Sequence, residues 1–275
     1  MKPSSGLLSC CAALVASAAV GLLAFGASTA LAEECPAAST TELEECVKTA
    51  NEDAESNTIK LAGGPYTPVK TLAFKTKTGT QTIEGPETTP EAELNGTSLE
   101  AEHPELVTVA PGSSVVFKRI VLSHAGHLAP AIEDGGTLEV ERSTIAGNVG
   151  NGLVVLPAAT ATLRNSTVSD GAAEGLQNGG TTTLENVTVA FNKGLGIESL
   201  GTLNMRNTIV AENGENVGGK ECSGAAASVN DHNLSSDNSC GAEINSVSAD
   251  LGPLFNDGGP TALHSLQPAS PALGV

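Results

Sequence analysis

Four segments in the middle of this chain repeat one another every 21 to 23 residues, and few folds accept that period. Residues 135–140, 159–163, 180–184 and 201–205 each open on small residues and run into an alternating apolar and polar stretch. Each leads into a second short run, ending Ser143-Thr144-Ile145, Ser166-Thr167-Val168, Val187-Thr188-Val189 or Thr208-Ile209-Val210. A unit this short cannot enclose a core by itself. It must bury its apolar side against the units before and after it, which makes the chain a solenoid.

Stacking the repeats produces columns. Phe117, Val140, Leu163, Leu184 and Met205 form one, with steps of 23, 23, 21 and 21 residues. Leu122, Ile145, Val168, Val189 and Val210 form a second with the same steps, and Ile132, Leu153, Leu176 and Ile197 form a third. Three apolar columns per turn predict three short strands per coil. Within a run the residues alternate, so one face is buried and the other wet. A polar column, Asn165, Asn186 and Asn207, falls between two strands at steps of 21. Asn tolerates the left-handed backbone of a sharp turn and can hydrogen-bond up and down a stack, so this ladder is expected to be structural. The prediction is an all-β, single-stranded parallel β-helix with three faces. About eight coils fit if they fill residues 57–245 at about 22 residues each.

Residues 1–32 have the pattern of a secretory signal: Lys2, an apolar stretch from Leu7 to Phe25, and a small-residue cleavage motif ending at Ala32. Its removal leaves 12 basic against 31 acidic residues, a net charge of −19. Such a surface repels nucleic acid and anionic membranes, and no stable membrane insertion is expected after cleavage. Four cysteines remain: Cys35, Cys46, Cys222 and Cys240. An even number in an exported chain points to disulfides, with three connectivities open. Sequence-local pairing is preferred, because both local pairs lie where the repeat is absent or broken. A zinc site is the rival, disfavoured because no Cys-x-x-Cys occurs.

The remaining segments divide the chain further. Residues 33–56 contain a helical pattern with Leu43, Cys46, Val47 and Ala50 on one face, and Thr41-Glu42-Leu43-Glu44 reads as its capping box. A helix there would cover the apolar end of the first coil. Residues 57–249 form the solenoid, irregular before about Ser114, with Cys222 to Cys240 expected as a loop or outlying lobe. Residues 250–275 carry four prolines and are expected to form an extended cover on the final coil.

The repeats and the ending together resemble secreted bacterial β-helix proteins that carry a choice-of-anchor Q domain, related to polymorphic outer-membrane-type repeat proteins. The resemblance rests on Asn57-Thr58-Ile59-Lys60-Leu61 with Gly64 and Tyr66, on Leu163-Arg164-Asn165-Ser166-Thr167-Val168, and on Arg206 to Asn213. It continues in Cys222-Ser223-Gly224, Asn233-Leu234, Cys240-Gly241, Leu251-Gly252-Pro253-Leu254, Asn256 to Thr261, His264 and Pro268 to Ala272. It implies a right-handed β-helix exported to the cell surface or the medium, and it implies no catalytic residues. The close Leu273-Gly274-Val275 departs from the family's usual acidic finish, so free secretion or non-covalent retention is expected over anchoring.

The outward positions Glu139, Thr162, Thr183 and Asn204, and beside them Glu141, Arg164, Glu185 and Arg206, read as a ladder of surface ion pairs. Asp134, Asp170, Asp231 and Asp237 are scattered, so no calcium cluster of a lyase is expected. His124 and His127 are the best metal-like pair but lack a third ligand. His264 is expected to make a packing hydrogen bond, and Asn256-Asp257-Gly258-Gly259-Pro260 a turn. With no Trp and only Tyr66, Phe74, Phe117, Phe191 and Phe255 after cleavage, a sugar-stacking platform is disfavoured. The expected function is a non-catalytic structural or adhesive module without metal or cofactor, its partner an extracellular polysaccharide or a surface protein. The alternative is a polysaccharide lyase or glycoside hydrolase whose groove is built by the irregular first coils and the Cys222–Cys240 segment.

Overall fold

The structure, a computed structural model, describes residues 33–53, 55–102 and 104–273. Residues 1–32, where the signal segment and its cleavage point at Ala32 are expected, and the closing Gly274-Val275 lie outside the described residues. From Glu33 onward the chain winds as a parallel β-helix, each full coil giving one strand to each of three sheets. The first sheet has nine strands, from Glu33–Ala37 to Val229–Asp231. The second also has nine, from Gly64–Tyr66 to Ile244–Asn245, and the third has seven, from Leu72–Phe74 to Cys222–Gly224.

The predicted columns are the register of these sheets. Phe117 pairs with Val140, Val140 with Leu163, Leu163 with Leu184, and Leu184 with Met205. Leu122 to Val210 stack likewise in the second sheet and Ile132 to Ile197 in the third. Nearly all of these side chains are fully buried, forming one continuous core. The early coils obey the same register with longer turns: Ile59 pairs with Ile83 and Ile83 with Phe117, although an insertion that includes the 3-10 turn Gly96–Ser98 separates the last two.

About nine turns are present where about eight were expected. One extra strand, Glu33–Ala37, precedes the helix and pairs with Asn57–Leu61. Others come from the segment between Cys222 and Cys240, which is neither a loop nor a separate lobe. Cys222–Gly224, Val229–Asp231 and Leu234–Ser235 continue the three sheets in turn. Strand pairing is made by the backbone, so small and polar residues continue a coil without extending the apolar pattern.

The helix Thr40–Glu52 buries Leu43, Cys46, Val47 and Ala50, as the periodicity requires. Its cap, however, is Ser39, whose Oγ accepts from the Glu42 N–H at 3.3 Å, while the Glu42 carboxylate accepts from the Ala38 N–H at 2.7 Å. The box is therefore Ser39-x-x-Glu42, two residues earlier than Thr41-x-x-Glu44, because Ser39 has the extended backbone a cap needs (φ −145°, ψ 161°). Ser39→Ala should cost about 1 kcal/mol and Thr41→Ala much less; paired thermal melts check this, and the reverse order would place the cap back at Thr41. The helix also closes the edge of the third sheet. Asn51 Nδ2 donates to the Ala73 carbonyl at 2.7 Å, and the Lys75 N–H donates to Asn51 Oδ1 at 2.6 Å. The Asn51 amide thus stands where the next strand's peptide would be.

The chain's last segment differs most from expectation. Leu251–Phe255 and Leu263–Leu266 pair as an antiparallel hairpin, while Leu251 and Ala272 pack on an apolar cluster that includes Leu234 of the last coil. The hairpin runs back along the outside of the second sheet, where Thr144 Oγ1 donates to Ala262 O at 2.6 Å and Thr261 Oγ1 to Arg142 O at 3.3 Å. Outward positions such as Thr144, Ala146, Ser169 and Ala190 are consequently buried. A second apolar cluster of Ala211, Leu234 and Ala249, with Ile209, Ile244, Leu251 and Ala272 against it, lies on this outer side. Alternation alone could not reveal it, because a covering strap adds its contacts from outside the repeat.

Candidate functional site

The outer face of the first sheet carries the most regular surface of the chain. Thr137, Thr160, Thr181 and Thr202 align coil on coil, and two residues further along so do Glu139, Thr162, Thr183 and Asn204. Beside them Arg164 donates from Nε to Glu185 at 2.8 Å and reaches Glu139 at 2.9 Å, while Lys118 reaches Glu141 at 3.5 Å. The ion pairs therefore run diagonally as well as vertically, and Glu141 pairs downward with Lys118 instead of with Arg164. Asn204 Nδ2 donates to Thr183 Oγ1 at 3.4 Å. Each of these pairs is half-exposed and contributes at most about 1 kcal/mol. They fix side-chain positions more than they stabilise the fold.

Asn165, Asn186 and Asn207 occupy the corner that leaves this sheet, with φ of 50°, 56° and 49°. Asn186 Nδ2 donates to Asn165 Oδ1 at 3.2 Å. The same left-handed corner continues through Arg119 and Arg142 below and His232 above, residue types that gave no hint of a shared column. A second, buried ladder was not anticipated. Gly171 N–H donates to Asn192 Oδ1 at 3.1 Å, and Asn192 N–H to Asn213 Oδ1 at 2.9 Å. It ends on the carboxylate of buried Glu221, which accepts from Asn213 N and, at 2.6 Å, from Asn213 Nδ2. Burial pushes the Glu221 carboxyl up, and hydrogen bonds from Ser236 and Asn213 oppose that shift. The 21-residue spacing of Asn192 and Asn213 was the available signal, interrupted one coil below by Gly171.

Cys35 is bonded to Cys46, and Cys222 to Cys240, tying the helix to the first strand and the last coil to itself. The four aspartates stay apart. Asp134 is buried, Asp170 lies 3.9 Å from His264 Nε2, Asp231 holds His232 at 2.7 Å, and Asp237 accepts from Ser239 Oγ at 2.6 Å. His264 packs against Phe191, and its Nδ1 lies 2.7 Å from the Gly252 carbonyl. The Asn256 side chain caps a turn by accepting from the Gly258 N–H at 2.8 Å.

His124 and His127 do not form a pair. His127 Nε2 lies 3.2 Å from the Leu99 carbonyl. His124 Nδ1 instead lies 2.7 Å from Ser123 Oγ and 3.5 Å from Glu93 Oε1, which also accepts from Ser123 Oγ and, at 3.1 Å, from Asn95 Nδ2. Glu93, Asn95 and Ser123 all face outward on adjacent strands of the second sheet. Ser123 is buried and its hydroxyl proton is committed to Glu93, so it does not stand as an exposed nucleophile. Beside this cluster is a groove of about 510 Å³, walled by Pro65, Pro90 and Val121, with Thr89, Glu91, Glu93 and Asn256 as its polar lining. Gly63 permits one wall, since a Cβ there would lie 2.3 Å from Pro90 O. This site has no signature in the sequence, because Glu93 and Asn256 line one groove only when the hairpin folds back.

Among the described residues no group of three or more His, Cys, Asp or Glu side chains is placed to hold a metal ion. Nor is any described helix long and apolar enough to cross a membrane. Residues 106–253 match the family described as the right-handed beta helix region. The chain belongs to that family. The match gives the hand of the solenoid. No curated protein matches the β-helix in sequence. Among solved structures it is similar to a pectin methylesterase from Aspergillus niger in penultimately deglycosylated form, with a TM-score of 0.50 and 14% identity over 73% of this chain and 84% of that one. The deglycosylated form of that enzyme gives a TM-score of 0.49 at 14% identity, over 72% and 83% of the two chains. At this identity the likeness is one of fold, and fold does not carry chemistry with it.

Proposed function

We propose that this β-helix is an exported, non-catalytic binding module whose lateral surface engages an extracellular polysaccharide or a surface protein. One observation carries the reading: the outer face of the first sheet repeats threonine, carboxylate and amide groups in register over successive coils, and those side chains remain accessible. The core beneath them holds the array rigid, so little order has to be gained on binding. Two disulfides fit an oxidising compartment, and the resemblance to choice-of-anchor Q proteins supports export and a place at or near a cell surface. Glu139, Arg164 and Glu185 on this face are engaged in ion pairs, an arrangement suited to fixed recognition more than to proton transfer.

The test is incubation of the purified protein with neutral, acidic and amino polysaccharides, with and without calcium. New reducing ends, unsaturated-uronate absorbance and retention on the immobilised polymers are followed together. Retention without cleavage is the expected result. Cleavage of any polymer would replace this reading with the lyase or hydrolase one, and absence of both would leave a protein as the partner to be sought.

A further inference from the structure

We infer that the N-terminal edge of the third sheet is a docking site for an extended acidic segment of a partner protein, which adds there as a short strand. This goes beyond the lateral face proposed above and does not depend on it. A solenoid of three sheets has three strand edges at each end, and each is a template for another chain unless something blunts it. At this end two of the three carry proline. The Glu33 N–H donates to Ser56 O, so Glu33, Cys35 and Ala37 pair inward and the outward positions are Glu34 and Pro36. In the second sheet the Gly64 N–H donates to Glu91 O, which turns Pro65 outward in the same way. A proline has no N–H to offer an incoming strand.

The third edge, Leu72–Phe74, has no proline. Its Leu72 N–H donates to Leu106 O and its Phe74 O accepts from the Ala110 N–H, so Thr71, Ala73 and Lys75 turn their backbone groups outward. The Asn51 side chain satisfies the Ala73 carbonyl at 2.7 Å and the Lys75 N–H at 2.6 Å, as one residue of a further parallel strand would. The preceding rung is open. Among the described residues neither the Ala73 N–H nor the Thr71 carbonyl has a hydrogen-bond partner. In a parallel ladder these two groups serve a single residue, whose N–H reaches Thr71 and whose carbonyl reaches Ala73. Thr71 and Ala73 are partly exposed and line a groove of about 550 Å³ between this strand and the helix Thr40–Glu52. Charge selects the occupant. Residues 56–83 carry Lys60, Lys70, Lys75 and Lys77 and no acidic residue, in a chain of formal net charge −18. Lys70 and Lys75 flank the open rung, while Glu44 and Glu52 lie on the helix side, where Lys48 is 4.0 Å from Glu52. The two strand-side lysines turn away a basic strand and attract an acidic one, so main-chain bonds supply the attachment and charge the selection.

The probe is a six-residue peptide of alternating valine and aspartate, titrated into the isotope-labelled protein and followed through the backbone amide resonances. The Ala73 amide is expected to shift, and its exchange with solvent to slow at least about tenfold at saturation. A peptide with lysine in place of aspartate should bind at least about tenfold more weakly, and the acidic peptide N-methylated along its backbone should not bind. Ala73→Pro, which copies the proline of the other two edges, should abolish binding, and Lys70→Ala with Lys75→Ala should weaken it several-fold. Thr162→Ala with Thr183→Ala on the lateral face should leave it unchanged. The N-methylated peptide tests the ladder on the parent protein, so a folding defect in Ala73→Pro does not decide the result. Equal binding of the acidic and lysine peptides overturns the choice of partner. Binding that survives both N-methylation and Ala73→Pro overturns strand addition. Self-association of the protein that Ala73→Pro abolishes would put a second copy in the groove and overturn the partner proposed. An acidic peptide that does not bind removes the site and leaves the lateral-face reading standing.

Discussion

Leu163→Asp is expected to remove cooperative folding of the central coils. Leu163 is fully buried and paired on both sides, with Val140 below and Leu184 above. Losing its side chain forfeits about 1.5–3 kcal/mol of burial, and a carboxylate in an apolar column adds a penalty of several kcal/mol more. The total, about 5 kcal/mol or above, is comparable to the whole stability of many domains. In a solenoid each coil depends on its neighbours alone, so the defect should divide the molecule into two separately melting blocks. Thermal denaturation followed by circular dichroism checks this, with Thr162→Asp, one residue away on the wet face, as the control within about 0.5 kcal/mol of the parent. A Leu163→Asp protein that melted like the parent would show that the columns do not hold the coils together.

The second large effect has the opposite sign. Asp134 faces inward at the end of its strand, wholly buried, with Oδ1 accepting from the Gly136 N–H at 2.9 Å and Oδ2 without a partner. Burial pushes its carboxyl up from 3.8 to about 6, against a smaller pull downward from the Gly136 N–H. A carboxyl with a raised folded pKa holds its proton longer in the folded state than in the unfolded one. Its contribution is therefore favourable in acid, declines as pH rises from about 4 to about 6, and is lost above that. A shift of about two units corresponds to about 3 kcal/mol. Asp134→Asn should accordingly raise stability at pH 7 by up to about 3 kcal/mol and change it little at pH 4. The fold already accepts an amide in this column. Asn178, two coils along, donates to Thr202 O at 2.9 Å and accepts from Thr182 Oγ1 at 2.9 Å. Urea denaturation at both pH values decides the matter; an equal gain at pH 4, or a loss at pH 7, would mean that the charge is not what Asp134 costs the protein.

The two predictions differ in how visible their residues were. Leu163 announced itself, since an apolar residue recurring every 21 to 23 positions can satisfy itself only by stacking. Asp134 looked like one of several scattered carboxylates, and its place two residues after the inward Ile132 was outweighed by its charge. The same division runs through the surface. Glu139, Arg164 and Glu185 were legible as a ladder because strand register fixes them, although which carboxylate Arg164 would take was left to side-chain reach. The cluster of Glu93, Ser123 and His124 was not legible. The insertion between Ile83 and Phe117 obscures the register that puts Asn95 beside Ser123.

By itself the sequence determined the solenoid, its three strands per coil, the residues that fill its core and the helix at its start. These follow from short-period patterns, in which each residue's neighbours are set by the repeat. Tertiary structure alone decided that the segment after Cys222 stays on the helix, that the last residues fold back as a hairpin over the second sheet, and that Asn256 and Glu93 line one groove. Those contacts join parts of the chain that share no period. Packing between segments that share no repeat has no signature in the order of residues, so it emerges only once the coils are stacked.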